Sequence, residues 1–251
     1  MARFMLARSV APGGPLAAVA PVSAAPRRGR NFYVGMAVAC AAIAFLGFAP
    51  TFFLKRFFDS PPLPLLVHLH GLVFTAWVVL LLAQTTLVRA GRTDLHRRLG
   101  IAGLVLAATM VVLGVLTAIG GARRGVALVG MDPLGFMAVP LTAVALFLVF
   151  VILGALNRKK PEHHKRLMLL ATFSIMTPAF ARMAFAQQDP FLAFLLTMAL
   201  VLVAVVYDRR LRHRIHPVYL WGGLLILVSG PGRFALGQTE AWHTLARALV
   251  Q

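Results

Sequence analysis

The chain has 251 residues, 60% of them hydrophobic and only 13% charged, with a mean hydropathy of +0.84 and a formal net charge of +18. A soluble domain carries about a quarter charged residues, so an ordinary soluble protein is excluded. A nucleic-acid partner is also not indicated, because the basic residues stand between long apolar runs, where anionic lipid headgroups meet them.

Residues 1–30 are rich in Ala, Pro and Gly with scattered Arg. Such a segment cannot bury enough apolar surface to order itself, and it reads as a disordered cytoplasmic tail. Its stretch PLAAVAPVSAAP is broken by prolines and lacks the continuous apolar centre of a signal peptide. Seven apolar runs follow, at about 32–50, 65–88, 98–119, 135–156, 166–187, 190–207 and 217–237. A spanning helix needs roughly 20 apolar residues, and only helices and closed barrels satisfy their backbone in lipid. The runs lack the alternation of barrel strands. The expected fold is therefore all-α, a polytopic seven-transmembrane-helix bundle over 31–238. Within the last run, SGPGR at 229–233 places Pro231 between two glycines, which is expected to kink or break that helix. Residues 239–251 read as an interfacial helix with Trp242, Leu245 and Leu249 on its apolar side. The single cysteine, Cys40, lies inside the first run and reads as a core thiol.

The basic residues orient the bundle. With the N-terminus in the cytoplasm, 18 of the 25 Lys and Arg residues fall on the inner side: Arg3 to Arg30 in the tail, Arg89 to Arg98, Arg158 to Arg166, and Arg209 to Arg214. The other side keeps Lys55, Arg56, Arg123, Arg124, Arg182, Arg233 and Arg247. That bias predicts seven spans, N-in and C-out, in a bacterial inner membrane whose anionic headgroups face the basic loops.

Two stretches repeat a pattern: DLHRRLG at 94–100 and EHHKRLM at 162–168. Each opens an odd-numbered helix on the inner side. Asp94 and Glu162 favour the positive end of a helix dipole, and Arg97, Arg98, Lys165 and Arg166 are expected among phosphate headgroups. The histidines are not explained by helix-start grammar. His96, His164 and His216 open helices three, five and seven at one depth, and three imidazoles could hold copper, zinc or haem iron. The alternative is interfacial histidines bonded to loop carbonyls or lipid phosphate.

A second constellation lies in HLHGLVFTAWVVLLLAQ, 68–84. His70, Phe74, Trp77 and Gln84 fall on one face of helix two, which is expected to face the bundle interior and wall a ligand pocket. Simple interhelical bonding is the alternative. Arg182 and Arg233, both expected in the outer half, complete the candidate pocket. Met168, Thr172, Met176, Ala179 and Met183 form a stripe on helix five that reads as adaptable packing, with a soft-metal path as the other reading.

Some classes lose support. No run carries an Asp or Glu near its middle, as a proton-coupled transporter would. None of the four lysines lies in a run, which excludes a retinal Schiff base. No nucleophile is matched to a base, so no catalytic residue is assigned and an enzyme is not favoured.

Taken together, HLHG with Trp77 and Gln84, GRTDLHRRLG, NRKKPEHHKRLMLLAT and YDRRLRHRIHPVYLWGG resemble a family of uncharacterised bacterial seven-helix integral membrane proteins. The resemblance covers roughly 32–249, implies the same bundle and carries no activity. SGPGR departs from that family's usual Ser-Gln-Pro-Leu-Arg. HHKRLMLLAT is also loosely similar to membrane proteins that assist copper cytochrome oxidase assembly. Two functions stand open. One is a non-catalytic accessory subunit of a membrane partner, or a binder of a lipid- or quinone-like ligand. The other is a haem- or copper-binding redox or assembly protein that uses the histidines at helix ends.

Overall fold

The computed structural model describes residues 27–128, 130–186 and 189–251. The expected tail over 1–30 lies almost wholly outside the described residues. The described residues form ten α-helices in order: α1 (Arg27–Phe48), α2 (Leu65–Arg89), α3 (Thr93–Arg123), α4 (Pro133–Phe136), α5 (Ala138–Leu156), α6 (Pro161–Ser174), α7 (Thr177–Phe180), α8 (Pro190–Arg212), α9 (Pro217–Gly237) and α10 (Glu240–Val250). The described residues contain no strand, only an isolated bridge between Leu128 and Met131.

Local chemistry sets several boundaries. Pro133, Pro161, Pro190 and Pro217 each open a helix, where a missing N–H costs nothing. Side-chain caps accept orphan amides: Asp132 from Leu134 and Gly135, Asp189 from Leu192, His216 from Val218 and Thr239 from Trp242.

Among the described residues, six helical segments are long and apolar enough to cross a bilayer: 29–53, 65–89, 93–123, 133–156, 190–212 and 217–237. Their outer faces carry exposed Leu46, Ile101, Val105, Ile152, Leu202 and Leu224, the surface a lipid environment requires. The chain is a helical membrane protein.

The long helices close into a ring. α1 packs on α2, α2 on α3, α3 on α5, α5 on α9 and α9 on α8, and α8 returns to α1 through α7. α6 lies against α5, α8 and α9. From Arg166 to Met176 every residue except Met168 is buried. A helix on a lipid boundary buries one stripe, whereas burial on all sides marks an interior element. α6 is the axial element of the bundle.

The fifth apolar run is not one helix, as expected over 166–187. It stops after Ser174 and resumes for a single turn at α7. Pro178 causes the break: it has no N–H for the Ser174 carbonyl, and its ring would crowd that carbonyl in a continuous helix. With 14 residues, α6 is about 21 Å long, short of a ~30 Å hydrocarbon layer. The expected methionine stripe is divided by the same break. Gly47 lets α1 approach α7 there, since a Cβ would collide with the Ala179 carbonyl.

At the other proline the expectation of a break also fails. α9 runs through Pro231 to Gly237 with the ring exposed on its outer face. α10 lies against α3, α4 and α9. Its Trp242 and Ala246 are buried with Ala118, Met137 and Ala138, while Leu245 and Leu249 are exposed. Trp242 is thus separated from the two leucines it was expected to join, because its indole N–H donates to the Leu134 carbonyl at 2.8 Å.

Candidate functional site

Helix α2 turns its expected face inward, but it packs rather than walls a cavity. Trp77 and Leu81 are buried. The Trp77 indole N–H donates to Thr172 Oγ1 on α6 at 3.1 Å, and the Phe147 ring on α5 meets it edge-on at 4.9 Å. The two ends of the face are more open. His70 is half-buried and stacks on Phe74 with centroids 4.0 Å apart. Its Nδ1 is buried and meets no partner of hydrogen-bonding geometry, although the Leu113 backbone lies beside the ring. At the other end Gln84 Oε1 is likewise buried and unpartnered.

The three histidines divide between two neighbourhoods. His96 and His164 lie with ring centroids 6.1 Å apart, nearly perpendicular. His216 instead meets His163, edge to face at 4.7 Å. Successive residues on a helix point about 100° apart, so His163 and His164 serve different neighbours. Among the described residues no three His, Cys, Asp or Glu side chains form a group that could hold a metal ion. The His96–His164 pair still has one feature of a ligating imidazole. His164 Nδ1 donates to the Gly154 carbonyl at 2.8 Å, which leaves Nε2 of the neutral ring as an acceptor.

Beside these rings lies an ionic node that the basic-loop pattern hid. Arg166 was expected among headgroups, yet it is 2% exposed. Its guanidinium donates to Asp208 on α8, and to the Glu162 carboxylate at 2.8 Å and carbonyl at 2.7 Å. Lys165 at 2.6 Å and Arg212 also pair with Glu162. Asp208 Oδ2 accepts the His216 amide at 2.8 Å. The Tyr219 ring centroid lies 5.5 Å from the Arg166 guanidinium carbon, and Tyr33 lies beneath Lys165. Partial burial pushes the Glu162 carboxyl up, but the hydrogen bonds and charges of Lys165 and Arg166 overcome it and hold the pKa at about 2. The node joins α6, α8 and the start of α9. The equivalent arginine of the other repeat, Arg98, is exposed. The one signal in the sequence was Asp208, an acid at the polar end of an apolar run.

Two arginines of the candidate pocket have no carboxylate partner among the described residues. Arg233 is 4% exposed and donates only to the Ser229 carbonyl at 3.0 Å and Oγ at 2.9 Å. Arg182 follows the helix break. Its guanidinium donates to the Pro178 carbonyl at 2.8 Å and sits 4.6 Å from the Phe48 ring centroid. It is accessible, and near enough to His70 for its charge to act on that imidazole. The break thus sets Arg182 against Phe48 of α1, with His70 of α2 within reach of its charge.

Two concavities lie elsewhere. One, of about 230 Å³, is an apolar groove between α3 and α5 that includes Leu104, Ala108, Leu148 and Ile152. The other, of about 360 Å³, is lined by Arg212, Arg214, Ile215, His216 and Pro217. Neither is lined by His70, Phe74, Trp77, Gln84, Arg182 or Arg233. Comparison of the chain with protein-family models, with curated proteins and with solved structures returned no match.

Proposed function

We propose that this chain is a seven-span protein of a bacterial inner membrane, N-terminus inside and C-terminus outside. In this reading it binds an apolar ligand whose head carries an acceptor oxygen, such as a quinone carbonyl or a carboxylate. α6 and α7, with the residues that follow them, count as one broken span, and the 18-to-7 division of basic residues supports that count. The observation that carries the ligand reading is Arg182 at the helix break, held by a carbonyl and an aromatic ring alone, with its charge reaching the His70 imidazole. Arginine within a span is rare, pairs with other charged groups or backbone carbonyls, and often marks a ligand path. This one is accessible, has only a carbonyl and an aromatic face, and its charge reaches an imidazole with a buried, unpartnered nitrogen. A head group with an acceptor oxygen satisfies the cation, and an apolar tail suits the surrounding Phe48 and Phe74. Helix breaks are where membrane proteins place ligands.

The test is binding to the full chain in nanodiscs. Decylubiquinone and palmitate are titrated separately, and Arg182→Gln should weaken the bound probe about tenfold, the loss of one charge-assisted contact. Arg56→Gln, on an exposed turn, should leave it unchanged. If neither probe binds, or the Arg182 variant binds equally well, the reading fails. The second reading, a haem or copper protein, draws on the His96–His164 pair with its oriented His164. A visible spectrum and elemental analysis of the purified protein decide it.

A further inference from the structure

The turn between α8 and α9 carries a site independent of the ligand reading. It encloses the 360 Å³ concavity lined by Arg212, Arg214, Ile215, His216 and Pro217. The turn has a fixed shape. Arg209 donates to the His213 carbonyl, and the His216 amide donates to Asp208 at 2.8 Å. His213 takes φ +56°, the left-handed region that is unfavourable for a residue other than glycine. Surrounding contacts must hold that conformation in place.

The lining carries cations and donors but no carboxylate. Asp208 is committed to Arg166 and the His216 amide, and Glu162 to Lys165, Arg166 and Arg212. Arg214 is exposed and has no ion-pair partner among the described residues. His216 Nδ1 accepts the Val218 amide at 3.2 Å, so the proton of its neutral ring is on Nε2. Burial, followed by the charges of Arg166 and His163, lowers its pKa to about 4, and the ring is a neutral donor at pH 7. Arg212, Arg214 and His216 line one hollow and offer the groups that bind phosphate oxygens, which arginine forks recognise bidentately. The hollow lies between the ends of α8 and α9, two helices long and apolar enough to cross a bilayer, on which Leu211, Leu220 and Leu224 are exposed.

We propose that this concavity holds the phosphate of an anionic phospholipid headgroup, with Arg212, Arg214 and the His216 Nε2–H as donors and the acyl chains lying along α8 and α9. Free phosphate shares the recognising chemistry, and the experiment separates the two sources. The full chain is purified from mixed phosphatidylglycerol–phosphatidylcholine vesicles, and retained lipid is counted by mass spectrometry. The wild type should retain phosphatidylglycerol over phosphatidylcholine, and inorganic phosphate should not displace it. Arg214→Gln should lower retention about tenfold, and Arg214→Lys, which keeps the charge but not the fork, should fall between. Lys159→Gln, an exposed cation of the α5–α6 turn, is the control and should change retention less than about twofold. Equal losses in the Arg214 and Lys159 variants would reduce the effect to diffuse charge and overturn the site. Displacement by inorganic phosphate would overturn the lipid assignment.

Discussion

Asp208→Asn should be the most damaging conservative change in the protein, and its cost follows from the geometry of the node. Asp208 and Arg166 are 3% and 2% exposed, so water cannot replace a lost partner. Removing one member of a buried ion pair costs about 3–5 kcal/mol, because the other is left charged and desolvated. Arg166 keeps the Glu162 carboxylate and carbonyl, which places the expected loss near the lower end, about 3 kcal/mol. The asparagine oxygen can still accept the His216 amide, but its NH2 then faces the Arg166 guanidinium, donor against donor. The measurement is equilibrium unfolding in mixed micelles by SDS titration. The decisive comparison is Asp208→Leu combined with Arg166→Met. Replacing both charges removes the uncompensated one, so the double variant should be more stable than Asp208→Asn alone. A single variant within about 0.5 kcal/mol of wild type would show that water reaches the pair. A double variant worse than the single would show that the node does more than satisfy itself. Either result refutes the reasoning.

Trp77→Phe should cost about 1 kcal/mol through the lost indole bond to Thr172, and Thr172→Val should add little to it in a double-mutant cycle. Gly47→Ala should lower stability by more than a surface substitution, because α1 and α7 must separate to admit the methyl group; its thermal midpoint in detergent reads this, and an unchanged midpoint would refute the close approach. Reporter fusions at Gly91, Lys160 and Arg210 should read cytoplasmic and those at Gly125 and Gln251 external; a cytoplasmic reading at Gln251 would sink the seven-span topology. The docking of α10 should depend on pH through His243, which donates Nδ1–H to the Thr239 carbonyl and Nε2–H to Asp132, each at 2.9 Å. These bonds raise the His243 pKa above 6.5, so its contribution is complete below 6.5 and lost as pH rises through the folded value. The His243 bond lowers the Asp132 pKa below 3.8, so that contribution holds above 3.8 and is lost as pH falls through the folded value. Protection of the 240–250 amides, taken relative to the intrinsic exchange rate at each pH, should therefore be lower at pH 9 than at pH 6, and that difference in protection should vanish in His243→Gln.

The repeated heptapeptide shows how far a sequence can be read into a membrane fold. Apolar runs and charged turns are local properties, and six of the seven expected spans survive as helices of crossing length. The pairing of His96 with His164 is also a near-local consequence, since both open helices at one depth. Arg98 and Arg166 differ for a reason that neither stretch contains. Arg166 lies on the axial helix and meets Asp208, which is 42 residues away, whereas Arg98 lies on a ring helix and points outward. Which run becomes axial depends on how all the helices pack, and hydropathy alone does not rank them. The candidate pocket divides in the same way. Periodicity put Trp77 on an inward face, but whether an inward side chain lines a cavity or fills one depends on the partner opposite it, and Thr172 and Phe147 fill this one. The break at Pro178 was not expected from hydropathy, which reads 166–187 as one run, although the proline stands in plain view within it. Its consequence was not legible either, because Arg182 meets Phe48 only after α1 has closed against α7. The site therefore lies where the helix grammar fails, and that failure distinguishes it from the packed face of α2.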